Sequence, residues 1–382
     1  MISYGRQFID GKDIKSVVKV LNSRLITQGP IVSRFEKELC KKLGYRYASV
    51  VSNGTAALHL ISLAMGWRKG DIVLTTPISF LSTSNSIVYA GAKPEFVDID
   101  KDSYTIDTKK LENKIKFLKK NKKRIKAIVC TDFAGHPCDW PTLKKFSKKY
   151  NLRLINDNCH SLGAKINSDQ KYSSKFSDCT SLSFHPVKAI TTGEGGAVLT
   201  NDKRFDSKIK LLRSHGMEKK NPEEMWKYEM KELGYNYRIS DFQCALGVSQ
   251  LRKLNKFIRK RKTIAKIYDR AFKNIENITI PKTKKNYSHA YHLYPLKINF
   301  KKFGITKKLF FRKMKKNNIL LQVHYIPIYH QPFYKKNFKF KISEFSVSEN
   351  FYNEEVSLPI YYSLKAIEQK KVIKNIKKLL KI

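Results

Sequence analysis

Short apolar runs alternate with amphipathic ones through residues 45–205. YASVVS (47–52) reads as a buried strand, and GTAALHLISLAM (54–65) places Ala57, Leu58, Ile61, Ala64 and Met65 at helical spacing. DIVLTT (71–76) predicts a strand closed by Pro77, and SFLSTSNSIVYAGA (79–92) predicts a helix. PEFVDID, AIVCTDF, LRLINDN, CTSLSF and GGAVLTN supply further strands, with helices expected at 107–119 and 140–150. This β-α-β-α rhythm is that of an α/β fold with a mostly parallel central sheet. From Ser240 the pattern changes. Ser240-Asp241 suits a helix N-cap, and a long helical period follows to about Phe272. PKTKKNYSH (281–289) is a polar, basic connector. Beyond it, two runs (HLYPLKIN and LLQVHY) read as strands among helices, as in a smaller α+β domain. The expected division is a large domain with an N-terminal arm at 1–250, then the long helix and small C-terminal domain at 251–382. No internal repeat of the 20–50-residue kind is present.

With 41% hydrophobic and 12% aromatic residues in 382, the chain can build a sizeable core, which excludes wholesale disorder. No apolar run approaches the roughly 18 residues needed to cross a bilayer, so no membrane insertion is expected. Arg6 and Asp10 precede any hydrophobic stretch, so no secretory signal is visible. The six cysteines contain no CxxC pair and are too sparse for a disulfide scaffold. A cytoplasmic, thiol-reduced protein is the expectation. Charge alters the picture only in part. Lys+Arg 76 against Asp+Glu 32 gives +44, enough to attract any polyanion. Yet only 15 of the 76 are Arg, and the lysines are spread along the chain rather than gathered. Ile, Asn, Tyr and Phe, which A/T-rich codons favour, are abundant as well. The charge therefore reads as composition bias rather than a specific nucleic-acid site.

The sharpest chemistry lies in LINDNCH (154–160) followed by SLSFHPVKAITTGEGGAVLTND (181–202). Asp157 ends one strand and Lys188 sits in a turn after another. In an open α/β sheet such ends converge on one crevice. An ion pair at the sheet edge would satisfy both residues. Catalysis gives a second reason for the pair: a lysine can form a Schiff base with an aldehyde cofactor, and an aspartate can keep a pyridine nitrogen protonated. That combination selects pyridoxal 5'-phosphate (PLP). NGTAAL (53–58) adds a phosphate cradle, with Gly54 admitting the backbone and Thr55 offering N–H and hydroxyl at a helix N-terminus.

These motifs occur in order with LNSRLITQGP, TTPISFLST, DFAGHPCDW, RSHGM, LGYNYRISDFQCALG and VHYIPIY. Together they resemble the DegT/DnrJ/EryC1/StrS family of PLP-dependent nucleotide-sugar aminotransferases over essentially the whole chain. The resemblance implies the fold-type-I, aspartate aminotransferase-like fold. It implies Lys188 as Schiff-base lysine and proton shuttle, Asp157 at the pyridine nitrogen and His160 near the ring hydroxyl. Phe80 would stack on the ring, Gly54, Thr55 and Ser183 would bind phosphate, and Asn236 would reach the phosphate of a neighbouring subunit in a homodimer with shared active sites. Tyr4, Arg24, Leu25, Ile26, Thr27, Val323, His324, Tyr325 and Ile326, with Gly54 and Ser183, resemble the segments lining the sugar-nucleotide pocket. A satisfied core histidine at 160, core packing at Phe80 and a strand-edge pair at 324–325 are the alternative readings of those positions. The combination of SFHPVK, ITTGEGGAV, RSHGM and QVHYIPIY is similar to one branch of the family, and that resemblance implies transfer of the amino group of L-glutamate to C4 of a UDP-4-keto-6-deoxy-N-acetylhexosamine, giving the β-L-altrosamine amine of pseudaminic acid biosynthesis.

Other readings carry less. A perosamine- or bacillosamine-type 4-aminotransferase would use the same catalytic residues. Relatives that replace the lysine by His run dehydration, against which Lys188 argues. A basic binding or regulatory protein would explain the charge alone. The run Gly193-x-Gly195-Gly196 leads into a strand, not a dinucleotide-binding helix. Cys159 beside His160 lacks the geometry of a thiol protease. No metal is expected, because Asp157, Cys159, His160 and His185 match no metal-ligand spacing.

Overall fold

The computed structural model describes residues 1–218, 223–224 and 226–382. Its main sheet has seven strands in the order Tyr47–Val51, Gly196–Thr200, Cys179–Ser183, Arg153–Asp157, Arg124–Thr131, Asp71–Thr75 and Lys93–Phe96. Gly196–Thr200 pairs antiparallel with both neighbours, and every other adjacent pair is parallel. Six strands thus point one way and a single strand returns. Alternate residues feed two different cores. Val50, Leu74, Ile128, Leu154 and Leu199 belong to one cluster, whereas Val51, Val73, Val129, Ile155 and Val198 belong to the other. Burial on both faces explains why these strands read as continuous apolar runs.

The expected helices are present with small shifts of boundary. They lie at Gly54–Ala64, Leu81–Tyr89, Thr108–Lys120 and Trp140–Tyr150. Asn53 Oδ1 caps the first by accepting from the Ala56 N–H at 2.8 Å, and Asp107 caps the third by accepting from two backbone N–H groups. The long helix runs from Asp241 to Phe272, and Gln243 Oε1 accepts from both N–H and hydroxyl of Ser240 at its start. Its Leu254, Phe257 and Ile258 pack in the large core. Its Ile264, Ala265, Tyr268 and Phe272 pack in a second core.

That second core lies under a three-stranded antiparallel sheet of Ile278–Thr279, Tyr294–Ile298 and Glu355–Leu358. Helices Lys307–Lys316 and Ala366–Leu380 contribute Phe310, Met314, Val372 and Ile376 to it. Ile2 reaches this core too, donating its N–H to Asn318 O and accepting from Leu320 N, both at 2.8 Å. One expected strand does not form. LLQVHY crosses the small unit as irregular chain, held by single bridges of Ile319 to Ile2 and Gln322 to Ser357. The backbone of Leu320 is taken by Ile2, and that of His324 by the Glu355 carboxylate at 3.0 Å, so no ladder can propagate.

Candidate active site

The carboxyl ends of the parallel strands deliver Thr131, Asp157 and Ser183 to one rim, and the returning strand starts there at Gly196. A cavity of about 820 Å³ opens at that rim. Gly54, Thr55, Phe80, Asp157, His160, Ser183 and Lys188 line it from the large unit, as the sequence leads one to expect. Tyr4 from the N-terminal arm and Val323, His324, Tyr325 and Ile326 from the small unit form the facing wall. Arg24, Leu25, Ile26, Thr27 and Asn236 do not line this cavity. They are exposed, and their neighbourhoods touch: the Asp241 N–H donates to Ile26 O at 3.1 Å, and Gln28 Nε2 donates to Ile239 O at 2.7 Å.

Asp157 is 4% exposed and tethered by hydroxyls. Thr83 Oγ1 donates to its Oδ2 at 2.7 Å, Thr131 Oγ1 approaches at 3.4 Å, and the Cys159 N–H donates to Oδ1 at 3.3 Å. Lys188 is half-buried in the same cavity. Burial lowers the pKa of its amine, while Cys159 and Asp157 pull in the opposite direction. A lysine so placed holds a larger neutral, nucleophilic fraction than one in water. His160 Nε2 lies 3.2 Å from the Tyr325 hydroxyl, and its Nδ1 is buried without a partner. Burial first, then the charges of Lys188 and His324, hold its imidazole well below the usual range, so it is neutral.

The residues fit PLP on two structural grounds. One is the cradle: a Cβ at position 54 would stand 2.8 Å from Ser183 Cβ, and one at 196 would stand 2.4 Å from Asn53 O. Glycine at both positions lets the strand and the helix start close on each other, bringing the N–H groups of Gly54 and Thr55, ahead of the capped Ala56 N–H, beside a serine hydroxyl. The GEGG run thus serves a steric purpose rather than a dinucleotide. The other ground is the cavity itself, lined by a half-buried amine and a buried carboxylate. Phe80, 52% exposed, stands at the mouth with its ring 6.0 Å from that of Tyr325. The ring of Tyr4 lies 5.0 Å from that of His324.

Several site residues escape a reading of motifs alone. Ser79, Thr83 and Thr131 form a hydroxyl cluster around Asp157, with Ser79 Oγ 2.7 Å from Thr83 Oγ1 and 3.1 Å from Thr131 Oγ1. The available signal was a helix, SFLSTSNS, carrying more hydroxyls than a buried face tolerates without a polar target. Asp132, at the head of DFAGHPCDW, is fully buried and accepts six hydrogen bonds. The donors are the Cys138 N–H, Trp140, Asn156, Asn158, Ser161 and Tyr172. Three of them flank Asp157 and His160, so this carboxyl braces the turn that presents both. His292 lines the cavity with its ring 4.3 Å from that of His160.

Comparison with known proteins shows the family. The sequence profile of the DegT/DnrJ/EryC1/StrS aminotransferase family matches residues 7–377. The UDP-4-amino-4,6-dideoxy-N-acetyl-β-L-altrosamine transaminase of Campylobacter jejuni is 41% identical over 370 residues, covering 97% of this chain and 95% of the relative. GDP-perosamine synthase of Escherichia coli O157:H7 is 32% identical over 325 residues, covering 84% and 85%. Among solved structures, Helicobacter pylori PseC, an aminotransferase involved in the biosynthesis of pseudoaminic acid, superposes with a TM-score of 0.90 at 36% identity, covering 100% and 99%.

Proposed function

Since the chain belongs to the DegT/DnrJ/EryC1/StrS aminotransferase family and is a PLP-dependent transaminase, we propose that it moves the amino group of L-glutamate to C4 of a UDP-4-keto-6-deoxy-N-acetylhexosamine. The product is the UDP-4-amino-4,6-dideoxy-N-acetyl-β-L-altrosamine used for pseudaminic acid. The observation that carries this reading is the shared cavity. Lys188 and Asp157 occupy one wall, and the strip 323–326 faces them at a site whose chain is 41% identical to an altrosamine transaminase.

Bound PLP supplies an aldehyde for amines and a protonated ring that takes up an electron pair. Lys188 Nζ removes the α-proton of glutamate and later delivers a proton to C4 of the sugar. Because a single base serves both steps, the face it addresses sets the configuration at C4. Asp157, oriented by donors on both oxygens, would face the ring nitrogen and hold a proton there. His160 would stand near the ring hydroxyl, Phe80 would stack on the ring, and Gly54, Thr55 and Ser183 would hold the phosphate. Tyr4 and Val323–Ile326 orient the sugar.

The active unit in this reading is a homodimer. Arg24–Thr27 and Asn236 resemble ligand-binding segments, yet they are exposed and do not line their own cavity. A second copy is the partner whose site they can complete. The protein works in the cytoplasm, in keeping with six cysteines that are all unpaired. None of the described helices is long and apolar enough to cross a membrane.

The test supplies purified protein, PLP and L-glutamate with each C5-epimeric UDP-4-keto-6-deoxy-N-acetylhexosamine separately, with products identified by NMR. The L-arabino epimer should give the altrosamine amine. Preference for the D-xylo epimer would move the protein to a bacillosamine-type reaction with the same catalytic residues.

A further inference from the structure

His324 lines the cavity and is held from behind by two residues of the small unit's sheet, Ser357 at its ring and Glu355 at its backbone N–H. Ser357 Oγ lies 2.8 Å from His324 Nδ1, Ser357 Oγ donates to Glu355 Oε1 at 2.5 Å, and the His324 N–H donates to Glu355 Oε2 at 3.0 Å. All three residues are buried, with Glu355 and Ser357 wholly inaccessible. The directions of these bonds follow from counting protons. A carboxylate only accepts, and a serine hydroxyl has a single proton to give. Ser357 gives that proton to Glu355, so toward His324 it can only accept.

We infer that Glu355 and Ser357 are positioning residues that lock His324 as the Nδ1–H tautomer, making its Nε2 a fixed acceptor for an O–H or N–H of the sugar nucleotide. The assignment of the sugar as the group recognised rests on the proposed function. The tautomer itself does not. The ring is neutral: burial and the Lys188 charge push His324 down to about 3. A protonated imidazole would donate from both nitrogens and could not discriminate. Burial pushes Glu355 up to about 7, while the Ser357 hydroxyl, Lys307 and the His324 N–H draw it back. The carboxylate form therefore holds at mildly alkaline pH, the range in which the chain of bonds has this polarity.

A carboxamide at position 355 reverses that polarity without changing its size. Its single carbonyl must accept the His324 N–H, so its NH₂ faces Ser357 and donates. The hydroxyl proton then turns toward Nδ1, and the ring proton moves to Nε2. An acceptor facing the substrate becomes a donor.

The experiment is ¹⁵N NMR of histidine-labelled protein at about pH 8.5, where a carboxyl of pKa about 7 is ionised. The His324 signals are identified by their loss in His324→Asn. Wild type should carry its proton on Nδ1, and Glu355→Gln should carry it on Nε2. Finding Nε2–H in the wild type, or an unchanged tautomer in a folded Glu355→Gln, overturns the inference. Should that variant fail to fold, Ser357→Ala, which removes the acceptor for Nδ1–H, should let both tautomers appear, and a single Nδ1–H form there overturns it equally. In kinetics, Glu355→Gln should raise the sugar KM about tenfold or more, the scale of one mispaired buried hydrogen bond. The glutamate half-reaction, followed by absorbance in single turnover, should stay unchanged. An unchanged sugar KM with a reversed tautomer also overturns it. Because the NMR needs no sugar, turnover of neither epimer by the wild type would count against the proposed substrate and leave the tautomer result standing.

Discussion

Thr83 Oγ1 donates to Asp157 Oδ2 across 2.7 Å, tying the helix behind Phe80 to the strand end that carries the site's carboxylate. The threonine has one proton and spends it there, so Thr83 must accept from Ser79, 2.7 Å away. The helix Leu81–Tyr89 thereby fixes a charge on a different element.

Thr83→Val keeps the shape and removes that donor. A hydrogen bond to a charged group is worth about 1.5–3 kcal/mol, so turnover should fall about ten- to a hundredfold. The fall should appear in both half-reactions, since the same carboxylate serves each. Rapid-mixing absorbance measurements on each half separately check this. Slowing of the sugar half alone would place Thr83 at the substrate rather than behind Asp157.

Lys188→Ala should abolish turnover and leave the fold intact. Its side chain occupies a cavity wall rather than a packed core, so circular dichroism and the thermal midpoint should match the wild type. Persistent amine formation in this variant would remove Lys188 from proton transfer.

Asp132→Asn replaces an acceptor of six bonds with a group that must point two donors at other donors. The expected loss is about 2 kcal/mol or more of stability, read by urea denaturation. Activity should fall beyond what the unfolded fraction explains, because Asn158 and Ser161 lose the anchor that sets the turn carrying Asp157 and His160. A stability loss with unchanged kcat per folded molecule would make Asp132 purely structural.

Acid should weaken the fold through six buried histidines. Burial is the leading cause holding His59, His136, His160, His289, His292 and His324 below the ordinary imidazole range. In the unfolded chain each takes up a proton near pH 6.5, so the unfolded state binds more protons than the folded one. The histidines' contribution to stability is therefore full above about pH 6.5 and is lost as pH falls, at up to about 1.4 kcal/mol per pH unit for each histidine. Thermal midpoints measured between about pH 8 and 5 should drop over that acid span. His292→Asn should flatten the drop, and an equal slope in that variant would clear His292 of the effect.

How much of this the sequence disclosed depends on distance along the chain. Asp157 and Lys188 are legible because each announces itself locally, one at the end of an apolar strand and the other in the turn after a second. The Thr83 contact joins residues 74 apart, and no local pattern encodes which strand end a hydroxyl-rich helix will face. LLQVHY alternates as a strand should, yet its partners are the N-terminal arm and a buried carboxylate, which tertiary packing supplies. The glycines at 193, 195 and 196 invited a nucleotide-binding comparison, and the structure gives Gly196 a steric purpose that only the fold reveals. His292 sits in an unremarkable run, and its proximity to His160 follows from how the two units pack.

The helix Asp241–Phe272, 32 residues and so about 48 Å long, is stitched into the large core by its first half and the small core by its second. Melting either core would strip the packing from half of one continuous rod, and the exposed half would pull on the other. The two units are thus thermodynamically one, and calorimetry should record a single endotherm for this chain rather than a peak for each.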